Sequence, residues 1–95
     1  MIQIIPKITC DPAKREKTLQ ERKLDLLDAG KVFSGATLTL IDDRKDYGEV
    51  RYQTYGFLGN RVVMVVWTDR APARHVISMR YCHEREAAKV RARMD

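Results

Sequence analysis

Arg61-Val62-Val63-Met64-Val65-Val66-Trp67-Thr68 is the stretch on which the fold of this chain turns. Side chains of a strand alternate between its two faces, and this run is apolar on both, so it belongs in the middle of a sheet. Just before it, Gly59-Asn60 is a two-residue hairpin signal joining it to a strand over Val50 to Leu58. A further strand is expected over Ala36 to Ile41. Beyond Thr68, the segment Asp69 to Ala73 contains Pro72 and turns the chain into a last strand, His75 to Tyr81.

The flanks read as helices around one more strand. Ile2 to Ile8 is a short strand interrupted by Pro6, as suits an edge or a strand end. Asp11-Pro12 starts a helix that runs to about Arg22: the Asp11 carboxylate can cap free amides, and proline fits the first helical position. A second helix is expected from Asp25, with Asp28 three residues on in an approximate capping box and a stop at Ser34-Gly35. His83 to Met94 closes the chain as a helix whose apolar face (Ala87, Val90, Met94) is thin, so it depends on docking. The order β-α-α-β-β-β-β-α predicts an α+β fold. The sheet is expected to be an antiparallel meander with its helices packed on one face and the other face partly open.

Ninety-five residues make one domain, 1–95, with a single modest core. The chain is 44% hydrophobic and 33% charged, with three prolines and five glycines, which is ordinary globular composition. No apolar run approaches the ~20 residues of a membrane span, and Met1 to Cys10 lacks the pattern of a secretory signal. Cys10, Cys82, His75 and His83 have no metal-ligand spacing, so neither metal nor cofactor is expected. Reduced thiols and the missing signal point to the cytoplasm.

The net charge of +5 is unevenly placed. Arg74, Arg80, Arg85, Lys89, Arg91 and Arg93 face only Glu84 and Glu86 over the last segment, whereas Asp42 to Glu49 holds four acids against two bases. A basic face favours a polyanion, with nucleic acid foremost, although basic surfaces without function are about as common. Glu49 and Arg51 lie two residues apart where the polar turn enters its strand, so they share a face. They form either a site or a surface ion pair.

On the last strand, alternation puts Arg74, Val76, Ser78 and Arg80 on one face and His75, Ile77, Met79 and Tyr81 on the other. Arg80 and Ser78 are then candidates to hold a phosphate beside Arg51, because a guanidinium fork matches phosphate oxygens in two-point contact. The competing reading pairs Arg80 with Glu49 or Glu86 as a structural ion pair. His75 is a candidate general acid or base, although a lone histidine at a strand end is more often ordinary. Lys14 opposes the dipole in the first turn of its helix, which gives it weight as a ligand contact, and Arg74 is a further one. Trp67 and Tyr55 are possible base-stacking groups, with Trp67 better explained as core. There is no Gly-rich phosphate loop, HExxH or GxSxG. RNA, however, carries its own nucleophile in the 2′-hydroxyl. Its cleavage needs cations for charge developing on phosphorus together with a proton acceptor and donor. Arg51, Arg70 and Arg80, with His75 or Glu49, are the residues able to supply that set.

The chain resembles the BrnT toxins of bacterial type II toxin–antitoxin systems. The matching pieces are Asp11-Pro12-Ala13-Lys14, Ala29 with Val32-Phe33, Asp42 to Arg51 with its Gly48-Glu49-Val50-Arg51, Thr68-Asp69-Arg70, Val76-Ile77-Ser78-Met79-Arg80, and Glu86. They cover nearly the whole chain in the right order. The resemblance implies a RelE-like ribonuclease fold, arrest of translation by RNA cleavage, and neutralisation by a BrnA antitoxin whose ribbon-helix-helix part binds operator DNA. Lys14, Arg51, Arg70, His75 and Arg80 occupy matching polar positions. Three departures stand out. Glu21-Arg22-Lys23 replaces the usual Lys-His-Gly ending the first helix, Val90 replaces an aromatic, and Cys10 replaces Trp. A cleavage that relied on the missing histidine would be weak here or would use another group. The sequence therefore supports a metal-independent endoribonuclease toxin, against a non-catalytic nucleic-acid-binding module or a protein-interaction domain.

Overall fold

A computed structural model of the chain describes residues 6–94. The elements are β1 (Lys7–Cys10), α1 (Pro12–Arg22), a 3-10 turn (Leu26–Asp28), α2 (Ala29–Phe33), β2 (Thr37–Asp42), β3 (Arg51–Leu58), β4 (Arg61–Arg70), β5 (Ala73–Tyr81) and α3 (Glu84–Met94). Of the first expected strand, Ile2 to Ile5 lie outside the described residues, and the strand that forms begins later, at Lys7.

The five strands lie in the order β1-β5-β4-β3-β2, which puts β4 in the centre, as its two apolar faces require. β2 to β5 form the antiparallel meander, but β1 runs parallel to β5, so the sheet is mixed rather than antiparallel throughout. Short turns can only reverse the chain, and they dictate the meander. β1 is separated from β2 by two helices, a connection long enough to leave it beside β5 instead.

The helices also cover both faces, where one had been expected. On one side, Leu24, Leu26, Ala29 and Val32 pack with Val63, Val65, Trp67, Val76 and Met79. On the other, α3 brings Val90, with Ala87 and Met94 beside it, against Val62, Met64 and Val66. Leaving that second valine row in water would forgo roughly 1.5–3 kcal/mol for each large side chain, and this drives α3 onto it.

Local signals act where the residues demand. Asp11 accepts hydrogen bonds from the amides of Ala13 (2.8 Å) and Lys14 (3.3 Å) to begin α1. Asp25 caps the 3-10 turn through the Leu27 amide, whereas Asp28 makes no side-chain capping bond, so the expected second helix divides into a turn and five helical residues. Lys23 ends α1 in the left-handed region at φ 59, a conformation usually left to glycine. Gly56 lets α2 approach β3, since a Cβ there would stand 2.6 Å from Val32 Cγ1.

Candidate functional site

One irregularity decides what faces what. Val66 pairs with Ser78 but Trp67 pairs with Val76, so Ile77 is an extra residue, a β-bulge in β5. Strict alternation therefore fails there. Arg74 and Val76 lie on the α1–α2 side with Trp67, while His75 shares the α3 side with Ser78 and Arg80. The expected row of Arg74, Val76, Ser78 and Arg80 is split between two faces.

The register then lines up one polar row near one end of the α3 side. Thr9 pairs with His75, His75 with Thr68, and Arg51 with Asp42, and Arg51 follows Thr68 one step beyond the Tyr52–Trp67 pair. The row crosses all five strands. Thr9 Oγ1 lies 2.9 Å from His75 Nδ1, and the Thr68 hydroxyl donates to the Val50 carbonyl at 2.7 Å. Asp42 is buried and grips Arg44 in a two-point contact of 2.7 Å at each oxygen, which holds its carboxyl below the usual range.

Glu49 precedes β3 rather than lying in it, yet it still sits beside Arg51. It stands 3.7 Å from both Arg51 Nε and Arg70 Nη2, close enough for attraction but too far for hydrogen bonds. The Arg51 guanidinium lies 4.0 Å from the centre of the Tyr47 ring, and its Nε is buried without a hydrogen-bond partner. Burial first, and then the Arg70 charge, pull the His75 pKa below its ordinary value, so the imidazole is neutral near pH 7. Asp11, which caps α1, and Lys14, in its first turn, also contribute to the field at His75.

The structure thus brings Arg51, Arg70, Glu49 and His75 together, with Lys14 near them. It does not add Arg80. That side chain donates to Glu86 at 2.7 and 2.9 Å, the ion pair that the sequence left as its structural alternative. Arg80 pairs across the sheet with Met64, and Met64 with Tyr55. Tyr55 stands four residues along β3 from Arg51, so about 13 Å of strand and two inter-strand steps part the two arginines. Arg74 is apart as well, stacked 4.6 Å from the ring centres of both Phe33 and Trp67. Ser78 shares the α3 face opposite Val66, between the two ends. Trp67 is core, its indole donating to Thr54 Oγ1 at 2.7 Å, and Tyr55 is packed against the α3-side cluster.

Thr9, Thr68 and Tyr47 join the site unforeseen. Only Tyr47 carried a signal, as an aromatic in the charged turn before β3. Both thiols are free, and burial raises the pKa of each, that of Cys82 up to about 11, which disfavours the reactive thiolate. Among the described residues no three His, Cys, Asp or Glu side chains gather in a way that could hold a metal ion. No helix among them is long and apolar enough to cross a membrane.

A small basic α+β domain with two arginines, a carboxylate and a neutral imidazole at one end of its sheet belongs to a class suited to polyanionic substrates. The chain is a member of the BrnT family: the model described as ribonuclease toxin, BrnT, of type II toxin-antitoxin system matches residues 10–86. A comparison with curated proteins gives no match. Membership makes this a toxin–antitoxin ribonuclease with a protein antitoxin as partner. All four clustered residues fall within the matched segment.

Proposed function

We propose that the chain is an endoribonuclease toxin that cleaves RNA through the substrate's own 2′-hydroxyl, without metal, and so arrests translation. Its antitoxin is of the ribbon-helix-helix, BrnA-like type, and through it the pair reaches operator DNA. The observation that carries the reading is the convergence of Arg51 and Arg70 on Glu49 beside the neutral His75.

The 2′-oxygen forms a bond to phosphorus as its proton passes to a base, and the bond from phosphorus to the 5′-oxygen breaks as that oxygen takes a proton. His75, neutral and held at Nδ1 by Thr9, suits the proton transfer, with Glu49 as the alternative acceptor. The 3.7 Å contacts to Glu49 leave both guanidiniums able to turn their forks to a phosphate and to charge developing on its oxygens. Lys14 extends the positive surface for the flanking strand. Arg80 supports the site only indirectly, by fastening α3.

The test is single-stranded RNA incubated with antitoxin-free protein in EDTA. Fragments ending in 2′,3′-cyclic phosphate are expected, with strongly reduced yield for Arg70→Ala. RNA retained by the protein with intact strands would instead establish a binding module.

A further inference from the structure

We propose that the antitoxin docks through an acidic segment with apolar anchors, seated in the groove between β2 and α3. The groove holds about 480 Å³ and lies on the α3 side of the sheet, by Arg80 and away from the Arg51 row. Leu38, Leu40 and Val90 give it an apolar lining, and Arg85, Lys89 and Arg93 stand along it as exposed cations. Among the described residues none of these three cations is in an ion pair. The one carboxylate in the lining, Glu86, is already committed to Arg80.

Apolar lining with uncompensated positive charge calls for a ligand that is both apolar and acidic. RNA would satisfy the cations and leave the leucines wet, and Tyr55, the aromatic in the groove, is half-buried rather than open for stacking. The adjoining edge points the same way. β2 is an outer strand with neither charge nor proline from Thr37 to Ile41, and Leu40 and Ile41 are 44% and 66% exposed. Edge strands are ordinarily blunted by lysine, proline or a covering element. This one is left for a partner to cover, with its free backbone groups available for strand addition. The proposal rests on the protein antitoxin that family membership supplies, and stands apart from the cleavage chemistry above.

The test uses the full-length chain and its cognate antitoxin, purified from the co-expressed pair and separated. Leu40→Glu, and separately the double variant Arg85→Glu/Lys89→Glu, should each weaken antitoxin binding by about tenfold or more, with the double variant also losing salt dependence. All three side chains are exposed, so circular dichroism should report an unchanged fold. A fluorescent single-stranded RNA in EDTA should bind both variants as it binds the parent. Parental antitoxin affinity in both variants overturns the proposal. So does a fall in RNA affinity with antitoxin binding intact, which would make the groove an RNA surface. Hydrogen exchange on the unmodified complex guards against misfolded variants: slowed exchange over Thr37–Asp42 and Glu84–Met94 is expected, and protection confined to other segments overturns the idea. Protection there without RNA cleavage would sink the ribonuclease reading and leave this one standing.

Discussion

Arg51 and Arg80 occupy the same side of one sheet and have opposite surroundings. Arg80 is spent: two contacts of 2.7 and 2.9 Å bind both of its terminal nitrogens to Glu86 and tie α3 to β5. Arg51 is held only by a 3.7 Å attraction to Glu49 and by the face of Tyr47, with its Nε lacking any acceptor. An arginine whose fork is filled by a carboxylate is part of the scaffold. One that is positioned yet unfilled has capacity left for a phosphate. Residue type alone does not separate the two.

The contrast is open to direct attack, beginning with its largest expected effect. Arg51→Ala should lower RNA cleavage by about 10²–10³-fold, as loss of one preorganised transition-state donor does, with unfolding free energy changed by less than about 1 kcal/mol. Equal loss of cleavage in Arg80→Ala, at unchanged stability, would abolish the distinction. His75→Asn should cost roughly 10–10²-fold, since Glu49 remains as a second acceptor. Because His75 titrates below its ordinary 6.5, the parent's kcat/KM should fall on an acid limb beneath that pH, and this limb should vanish in the variant.

Glu86→Gln should show the converse, with cleavage retained and stability to urea reduced by about 1–2 kcal/mol at pH 7, a half-exposed ion pair being worth less than a buried one. The Glu86 carboxyl is depressed from 4.5 to about 2 by Arg80. A depressed acid contributes stability above its unfolded value and loses it on acidification. The gap between parent and variant should therefore be full above pH 4.5 and close as pH falls toward 2. Smallest is Lys23→Gly, which should raise stability by about 1 kcal/mol by relieving the left-handed residue that ends α1. That gain should leave cleavage untouched.

Lys23 also explains one departure from the family pattern. The glycine of the usual Lys-His-Gly stands where this chain bends left-handed, so the backbone is kept although the residue is not. Arg22, at the histidine's position, donates to the Met79 carbonyl at 2.9 Å. It is occupied with joining α1 to β5.

Much of the architecture was legible wherever a residue leaves the backbone little choice. Asp11-Pro12 could only open a helix, Gly59-Asn60 could only close a hairpin, and the valines of β4 could only lie at the centre. The doubled apolar pattern of β4 called for a cover on each face, yet the helices were expected on one face only, and α3 proves to be the element that supplies the second. The partner of β1 was not legible, because strand neighbours across a two-helix connection are chosen by global packing. In the site, Glu49, Arg51, Arg70 and His75 were named from residue chemistry. The displacement of Arg74 to the other face was not visible, since period-two counting assumes an unbroken ladder and the extra residue at Ile77 breaks it. The separation of Arg80 was not visible either, because alternation gives a face but neither a distance along the sheet nor the choice of Glu86 over Glu49.

That extra residue has an evolutionary consequence. A three-nucleotide deletion removing Ile77 would leave Val66–Ser78, Trp67–Val76 and Thr68–His75 paired as they are, so the imidazole would keep its face. Drawing Ile77 into the ladder with every residue kept would instead set it opposite Trp67 and move His75 opposite Asp69, turning the imidazole toward the Trp67 side and Arg74 away from it. One spare residue thus sets the phase of the acid–base group relative to the arginines, and a change that straightened the strand without shortening it should disarm the toxin.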